Sequence, residues 1–150
     1  MIIVSACLAG CRCRYDGGQK TDPRIERLVA RGLAIPVCPE QLGGLATPRS
    51  PCEIPNGAGA DALLGQARVF SRDGEDVTEN FLKGAHETLR ICKMTGAKAA
   101  VLKAQSPSCG CGLIYDGTFS GKKREGDGVT AALLRKNGIQ VLSEEEYNEG

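Results

Sequence analysis

Ile2-Ile3-Val4-Ser5-Ala6 is a short β-branched and apolar run that breaks off at Cys7 and a glycine-containing loop, Leu8-Ala9-Gly10-Cys11. A run of that length with apolar residues on both sides of the period reads as a strand buried on both faces. The same arrangement recurs. Leu33 to Val37 is a second such run and ends at Cys38, and Ala97 to Lys103 is a third, followed by the loop Gln105-Ser106-Pro107-Ser108-Cys109-Gly110. Ile139 to Leu142 supplies a last strand. Helical patterns lie between these runs. Asp22-Pro23-Arg24 offers an N-cap with proline at the first helical position, Ile25, Leu28 and Val29 keep helical spacing, and Gly32 closes the segment. Asp76-Val77-Thr78-Glu79 resembles a capping box for a long helix that carries Phe81, Leu82, Ala85, Leu89 and Cys92 on one side and stops at Gly96. Asp127 is placed to cap a helix through Lys136 that ends at Gly138, and Ser143 with Glu146 suggests a small terminal helix. Residues 39–65, punctuated by Pro39, Gly43, Gly44 and Pro48, read as a long functional loop, and Ala67 to Phe70 as a short edge strand.

Strands alternating with helices predict an α/β fold, a mostly parallel, Rossmann-like sheet with helices on both faces, because parallel strands need crossover connections. The length of 150 residues predicts one domain over residues 1–150. In such a sheet the parallel strands end at one edge, where ligand sites lie. Cys7, Cys38 and Cys109, distant in sequence, are therefore expected to converge there.

Composition narrows the partners. Nineteen basic against 18 acidic residues leave a net charge of +1, which gives no general attraction for a nucleic-acid backbone or an anionic membrane. Only six aromatic residues, three Tyr and three Phe, argue further against a single-strand nucleic-acid groove. No apolar run approaches the roughly 18 residues of a membrane helix. Eight cysteines would suggest disulfides in a secreted chain, but the amino terminus has no basic residue before Arg12 and no long apolar stretch. Leu8-Ala9-Gly10-Cys11 looks like a lipoprotein cleavage box without the flanks that such a box requires. A cytoplasmic location is expected, where clustered thiols bind metal or do chemistry. Thiolates select zinc or iron–sulfur clusters, yet the spacings Cys7-x3-Cys11-x1-Cys13 and Cys109-x1-Cys111 match neither the usual zinc pairs nor the ferredoxin run. Cys92 reads as a core residue, Cys52 as incidental in its loop, His86 as a helix-surface residue, and Lys122-Lys123-Arg124 as a solvated turn.

Several longer stretches carry a resemblance. Val4-Ser5-Ala6-Cys7-Leu8-Ala9-Gly10 with Cys13-Arg14-Tyr15-Asp16-Gly17-Gly18, Val37-Cys38-Pro39-Glu40-Gln41-Leu42-Gly43-Gly44-Leu45 and Thr47-Pro48-Arg49 form one part of it. Ser106-Pro107-Ser108-Cys109-Gly110, Ile114-Tyr115-Asp116-Gly117-Thr118-Phe119-Ser120-Gly121 and Gly126-Asp127-Gly128-Val129-Thr130-Ala131 form the rest. Together they resemble the thiouracil desulfidase family from residue 2 to about residue 146. The resemblance implies a compact α/β enzyme with a 4Fe-4S cluster held by three cysteines, which map onto Cys7, Cys38 and Cys109, with Cys13 as the alternate ligand. Cys11, Cys52 and Cys111 depart from the pattern.

The implied activity is non-redox desulfuration of a thiolated nucleobase, a small-molecule substrate, with release of sulfide. An iron lacking a protein ligand would polarise the soft thiocarbonyl, just as an open coordination position serves catalytic zinc. Glu40 is the expected general base or acid, its alternative being a structural carboxylate that accepts loop N–H groups. Ser106 is expected to orient the base or to donate to developing charge, with Ser108 and Asp16 touching substrate; turn roles are the alternatives. Competing readings are a zinc or iron–sulfur module without catalysis and a desulfidase of thiolated nucleotides in tRNA.

Overall fold

The computed structural model describes residues 1–148. In chain order the strands and helices are β1 (Ile2–Ser5), α1 (Pro23–Ala30), β2 (Ala34–Val37), α2 (Pro39–Leu42), β3 (Cys52–Glu53), α3 (Gly59–Leu63), β4 (Phe70–Ser71) and α4 (Thr78–Thr95). They continue with β5 (Ala99–Leu102), β6 (Leu113–Tyr115), β7 (Lys123–Glu125), α5 (Val129–Lys136) and β8 (Gln140–Ser143). The central sheet has the order β2-β1-β5-β8 and is parallel throughout. The chain runs outward from β1 to β2 through α1, passes back across β1 by way of α4 to form β5, and continues outward through α5 to β8. That reversal makes a topological switch point between β1 and β5, where an open α/β sheet has its natural crevice.

Alternation along β1 builds the two layers. Ile3 joins the larger core with Phe81, Ala85, Leu89 and Cys92 of α4 and Leu133 and Leu134 of α5. Val4 points the other way, into a smaller core with Ile25, Leu28 and Val29 of α1. Helices thus cover both faces, as the sequence predicts. The α1 start also follows expectation, since Asp22 accepts the Arg24 N–H at 3.0 Å with Pro23 at the first helical position.

Five local readings need correction. No capping box forms at 76–79: Val77 takes the N-cap position of α4 with no side-chain cap bond, and Asp76 accepts the Thr78 N–H at 3.0 Å from one residue earlier. The segment after β2 is not irregular: Pro39, having no N–H to lose, opens the one-turn helix α2, and α3 and β3 occupy more of the supposed loop. Asp127 does not cap α5, whose N-cap is Gly128; its carboxylate instead accepts the Gly112 N–H at 2.8 Å and pairs with Arg135 at 3.1 Å. The expected edge strand at 67–70 shrinks to Phe70–Ser71, paired antiparallel with β3. Ser143 and Glu146 form a turn, closed by the Glu146 and Tyr147 N–H groups on the Ser143 carbonyl, and not a helix. Cys92 is buried and His86 exposed, as expected.

Two glycines set how closely the layers meet. Gly84 of α4 and Gly43, just past α2, lie against each other's helix, and a methyl on Gly84 would run into the Pro39 carbonyl. Backbone therefore touches backbone where α2 is seated, and the Asn80 amide fixes the contact by donating to the Gly43 carbonyl at 2.8 Å.

Candidate active site

The carboxyl ends of β1, β2 and β5 open on a cavity of about 430 Å3. Cys7 enters it from a 3-10 turn, Ala6–Ala9, that follows β1 directly and is closed by Gly10 at φ 103°. Cys38 stands at the end of β2 in the N-cap position of α2. Cys109 comes from the loop after β5, which is tied to the sheet by the Lys103 N–H donating to Ser5 Oγ at 2.8 Å. The loop is folded on itself by Ser106, whose Oγ accepts the N–H groups of Cys109 at 2.6 Å and Ser108 at 3.2 Å. The three strand-end thiols therefore line one space, together with Cys13 and Cys52. Among the described residues, no three Cys, His, Asp or Glu side chains gather closely enough to hold a single metal ion. Cys13 lies within hydrogen-bond reach of both the Cys7 and the Cys38 thiol.

Burial and neighbouring thiols raise four of the cavity thiols, Cys13, Cys38, Cys52 and Cys109, above the ordinary thiol value. Burial pushes Cys109 up to about 12 and Cys52 up to about 12. Cys38 is raised by its hydrogen bond with Cys13 and then by burial. For Cys13 the Cys38 hydrogen bond pulls down, but the Cys7 contact and burial outweigh it and leave the thiol at about 11. Ligation by a cationic centre must displace those protons, so metal loading and proton release are coupled at this site.

Glu40 lies two residues beyond Cys38, in the first turn of α2, and borders the cavity. Its Oε2 receives Arg49 Nε and Nη2, both at 2.7 Å. The same guanidinium donates to the Cys13 carbonyl at 3.0 Å, to Thr47 Oγ1 at 3.0 Å and to the Ala46 carbonyl at 3.1 Å. Arg49 thus joins the Glu40 helix, the Cys13 loop and the 46–49 turn, and both members of the pair are largely removed from water. A planar five-donor fork suits this task where a lysine would not.

Ser106 lines the cavity, but Ser108 and Asp16 do not. Ser108 is buried with its hydroxyl bonded to Thr130 Oγ1 at 2.8 Å, and Asp16 folds its own turn by accepting the Gly18 N–H at 2.9 Å. These bonds place Ser108 and Asp16 on the loops that carry Cys109 and Cys13. Sequence reasoning passed over Arg49 and the far wall of the cavity. That wall holds Cys52, Glu53, Tyr115 and Phe119. Arg49 and the two aromatics fall inside the stretches quoted above, but the bonds that tie Arg49 to the Cys13 carbonyl and Phe119 to Glu53 span 36 and 66 residues and become visible only once the loops meet.

The model of the family described as 2-thiouracil desulfurase matches residues 2–146. The chain belongs to the 2-thiouracil desulfurase family. Among curated relatives of this family member, uncharacterized protein YbbK of Bacillus subtilis (strain 168) is 52% identical over 149 residues, covering 99% of each chain. Among solved structures, the 4Fe-4S-dependent thiouracil desulfidase TudS superposes with a TM-score of 0.85 at 46% identity, over 96% of this chain and 90% of that one. The parallel sheet of this desulfurase family member and the cavity at its carboxyl edge therefore sit in a shared fold. No helix among the described residues is long and apolar enough to cross a membrane.

Proposed function

We propose that this chain removes sulfur from a thiolated pyrimidine base of the thiouracil class, leaving the oxo base and sulfide, with a 4Fe-4S cluster held by Cys7, Cys38 and Cys109. The observation that carries this reading is the delivery of three thiols by three separate strand ends into one 430 Å3 cavity that Glu40 also borders. The donor set fits such a group. Soft sulfur ligands suit iron–sulfur clusters, and three strand-end thiols that line one cavity without forming a single-ion site fit a polynuclear centre in which each iron takes its own ligand. Cys13, in contact with both Cys7 and Cys38, is the reserve ligand.

When bound, the cluster supplies a Lewis-acidic iron with no protein ligand, which favours the soft thiocarbonyl sulfur. The overall conversion, C=S plus water to C=O plus hydrogen sulfide, balances without an electron donor. Glu40 is assigned to take the proton of the attacking water, for which it must lie within hydrogen-bond reach. With Oε2 occupied by Arg49, Oε1 is the oxygen left for that task. Ser106 accepts two backbone N–H groups at its oxygen, so its own O–H remains to donate toward the cavity that it lines. Ser108 and Asp16 serve by holding the two cysteine loops. The substrate is a free small molecule, and the eight unpaired cysteines suit the reducing cytoplasm.

Anaerobic purification with iron and acid-labile sulfide analysis, followed by sulfide release from 2-thiouracil and 4-thiouracil, tests the reading. A brown protein with iron and sulfide in equal amounts that releases sulfide is expected. A colourless zinc protein, or an iron-loaded one that releases none, overturns it.

A further inference from the structure

The far wall of the cavity is built differently from the sheet edge. Of the six aromatic residues in the chain, three border this one space: Tyr15, Tyr115 and Phe119. Tyr115 ends β6, and Phe119 stands in the connection to β7, between Asp116 and Lys122. That connection is held by one side chain, which also borders the cavity. Glu53 of β3 is buried, and its Oε1 accepts the Gly117 N–H at 2.9 Å and the Phe119 N–H at 3.1 Å. Gly117, at φ 92°, lies so close to Pro55 that a side chain has no room. Phe119 itself is in the left-handed region at φ 54°, which costs a non-glycine residue free energy and persists only when the surroundings enforce it. Arg72 lies over the Phe119 ring at 5.8 Å from its centroid and also lines the cavity.

Resting on the proposed function, we infer that Phe119 is a specificity-determining residue whose ring, backed by Arg72, stacks on the planar pyrimidine, and that Glu53 is its positioning residue. A thiolated pyrimidine is a small flat ring with few polar handles. Sites for such ligands gain affinity from aromatic faces, and base-on-aromatic stacking is sequence-tolerant because it uses the π-face. The chain invests a buried carboxylate and a strained backbone to hold one aromatic side chain at the wall of the cavity that the thiols line. Glu53 touches no substrate atom in this scheme. It acts through Phe119.

The test uses the cluster-loaded enzyme and reads equilibrium binding of uracil and of its non-aromatic analogue 5,6-dihydrouracil, alongside KM and kcat for 4-thiouracil. Phe119→Leu is expected to weaken uracil binding and raise KM by about tenfold, the scale of one stacking contact, with little change in kcat or in cluster absorbance. Its preference for uracil over dihydrouracil should collapse, whereas Phe119→Tyr should retain it. Glu53→Ala should shift KM in the same direction, and the double variant should fall well short of the product of the two single effects. An unchanged uracil preference in Phe119→Leu overturns the stacking role, and multiplicative effects overturn the role of Glu53. If Phe119→Leu does not load its cluster, the Tyr and Glu53 variants decide by the same two readouts. Wild-type enzyme that neither binds uracil nor releases sulfide overturns the proposed function instead, so the two failures are distinguishable.

Discussion

The two walls of the cavity differ in how they are made. One is the carboxyl edge of the parallel sheet, where Cys7, Cys38 and Cys109 follow strands locked into a four-stranded ladder between two cores. The other is assembled from two-stranded antiparallel ribbons, β3-β4 and β6-β7, joined by the hydrogen bonds of Glu53 to the β6-β7 connection. A site that must hold a metal group without distortion needs the first kind of support. A surface that selects among small flat substrates tolerates the second. Variants on the sheet edge should therefore abolish chemistry, and variants away from it should tune binding or stability.

The most severe break of that contrast is expected from Cys38→Ser, which removes a ligand contributed by the end of β2. Iron and sulfide content should fall together with activity, which should reach background. Full iron content in this variant would move Cys13 from reserve to ligand.

Next comes Glu40→Gln, which keeps the shape of the wall and removes the base. Cluster absorbance should be unchanged while kcat drops by roughly 10²- to 10⁴-fold, the range for loss of a general base. Undiminished turnover would reduce Glu40 to a partner of Arg49. Arg49→Lys sharpens the same point from behind. The charge is kept but the fork that reaches Glu40, the Cys13 carbonyl and Thr47 is not, so kcat should fall by about tenfold, with KM little changed. A change confined to KM would place Arg49 on the substrate and not behind the base.

The sequence exposed the sheet-edge wall and concealed the other, for a physical reason. Three apolar runs each ending near a cysteine are local signals, and the rule that parallel strands end together converts them into a site without knowledge of any loop. Phe119 carries no such signal. Its place depends on Glu53, 66 residues away, and on a hairpin whose strands read simply as Leu113-Ile114-Tyr115 and the exposed Lys123-Arg124-Glu125. Arg49 was hidden likewise, because its partner Glu40 offered a role of its own. Pro39 misled in the opposite direction, since a proline that ends structure inside a helix begins it at the first position. Asp127 was misread because a second acceptor task, the Gly112 N–H, won over the helix that follows.

A smaller effect is expected where the sheet-edge wall rests on α4. In Gly84→Ala a new methyl meets the Pro39 carbonyl, which is backbone and can yield only if α2 moves. Overpacking of this kind costs about 2 kcal/mol, or roughly 4–8 °C of thermal midpoint for a chain of this size. Because α2 follows Cys38 and carries Glu40, kcat should fall along with stability. A variant equally destabilised but fully active would show that α2 adjusts as a rigid unit.

Asp76 offers the mildest test, at the entry to α4 and next to β4. Its Oδ1 accepts the Thr78 N–H at 3.0 Å and the Thr78 hydroxyl at 2.6 Å, and Thr78 Oγ1 in turn accepts the Val69 N–H at 2.8 Å. The Arg68 hydrogen bond, then those from Thr78, hold the Asp76 carboxyl down at about 2. The pair with Arg68 is solvent-exposed and contributes little, so the two bonds from Thr78 dominate, and Asp76→Ala should cost about 1 kcal/mol, or roughly 2–4 °C at neutral pH. A carboxyl with a lowered folded-state pKa stabilises above its ordinary value and loses that contribution as pH falls through the folded one. The difference between wild type and Asp76→Ala should therefore be constant above about pH 4 and fade toward pH 2. KM for 4-thiouracil should not move, because the Asp76 carboxylate serves the start of α4. A rise in KM would show that the 67–78 segment transmits through the β3-β4 pairing to Glu53, making the loop wall a single mechanical unit.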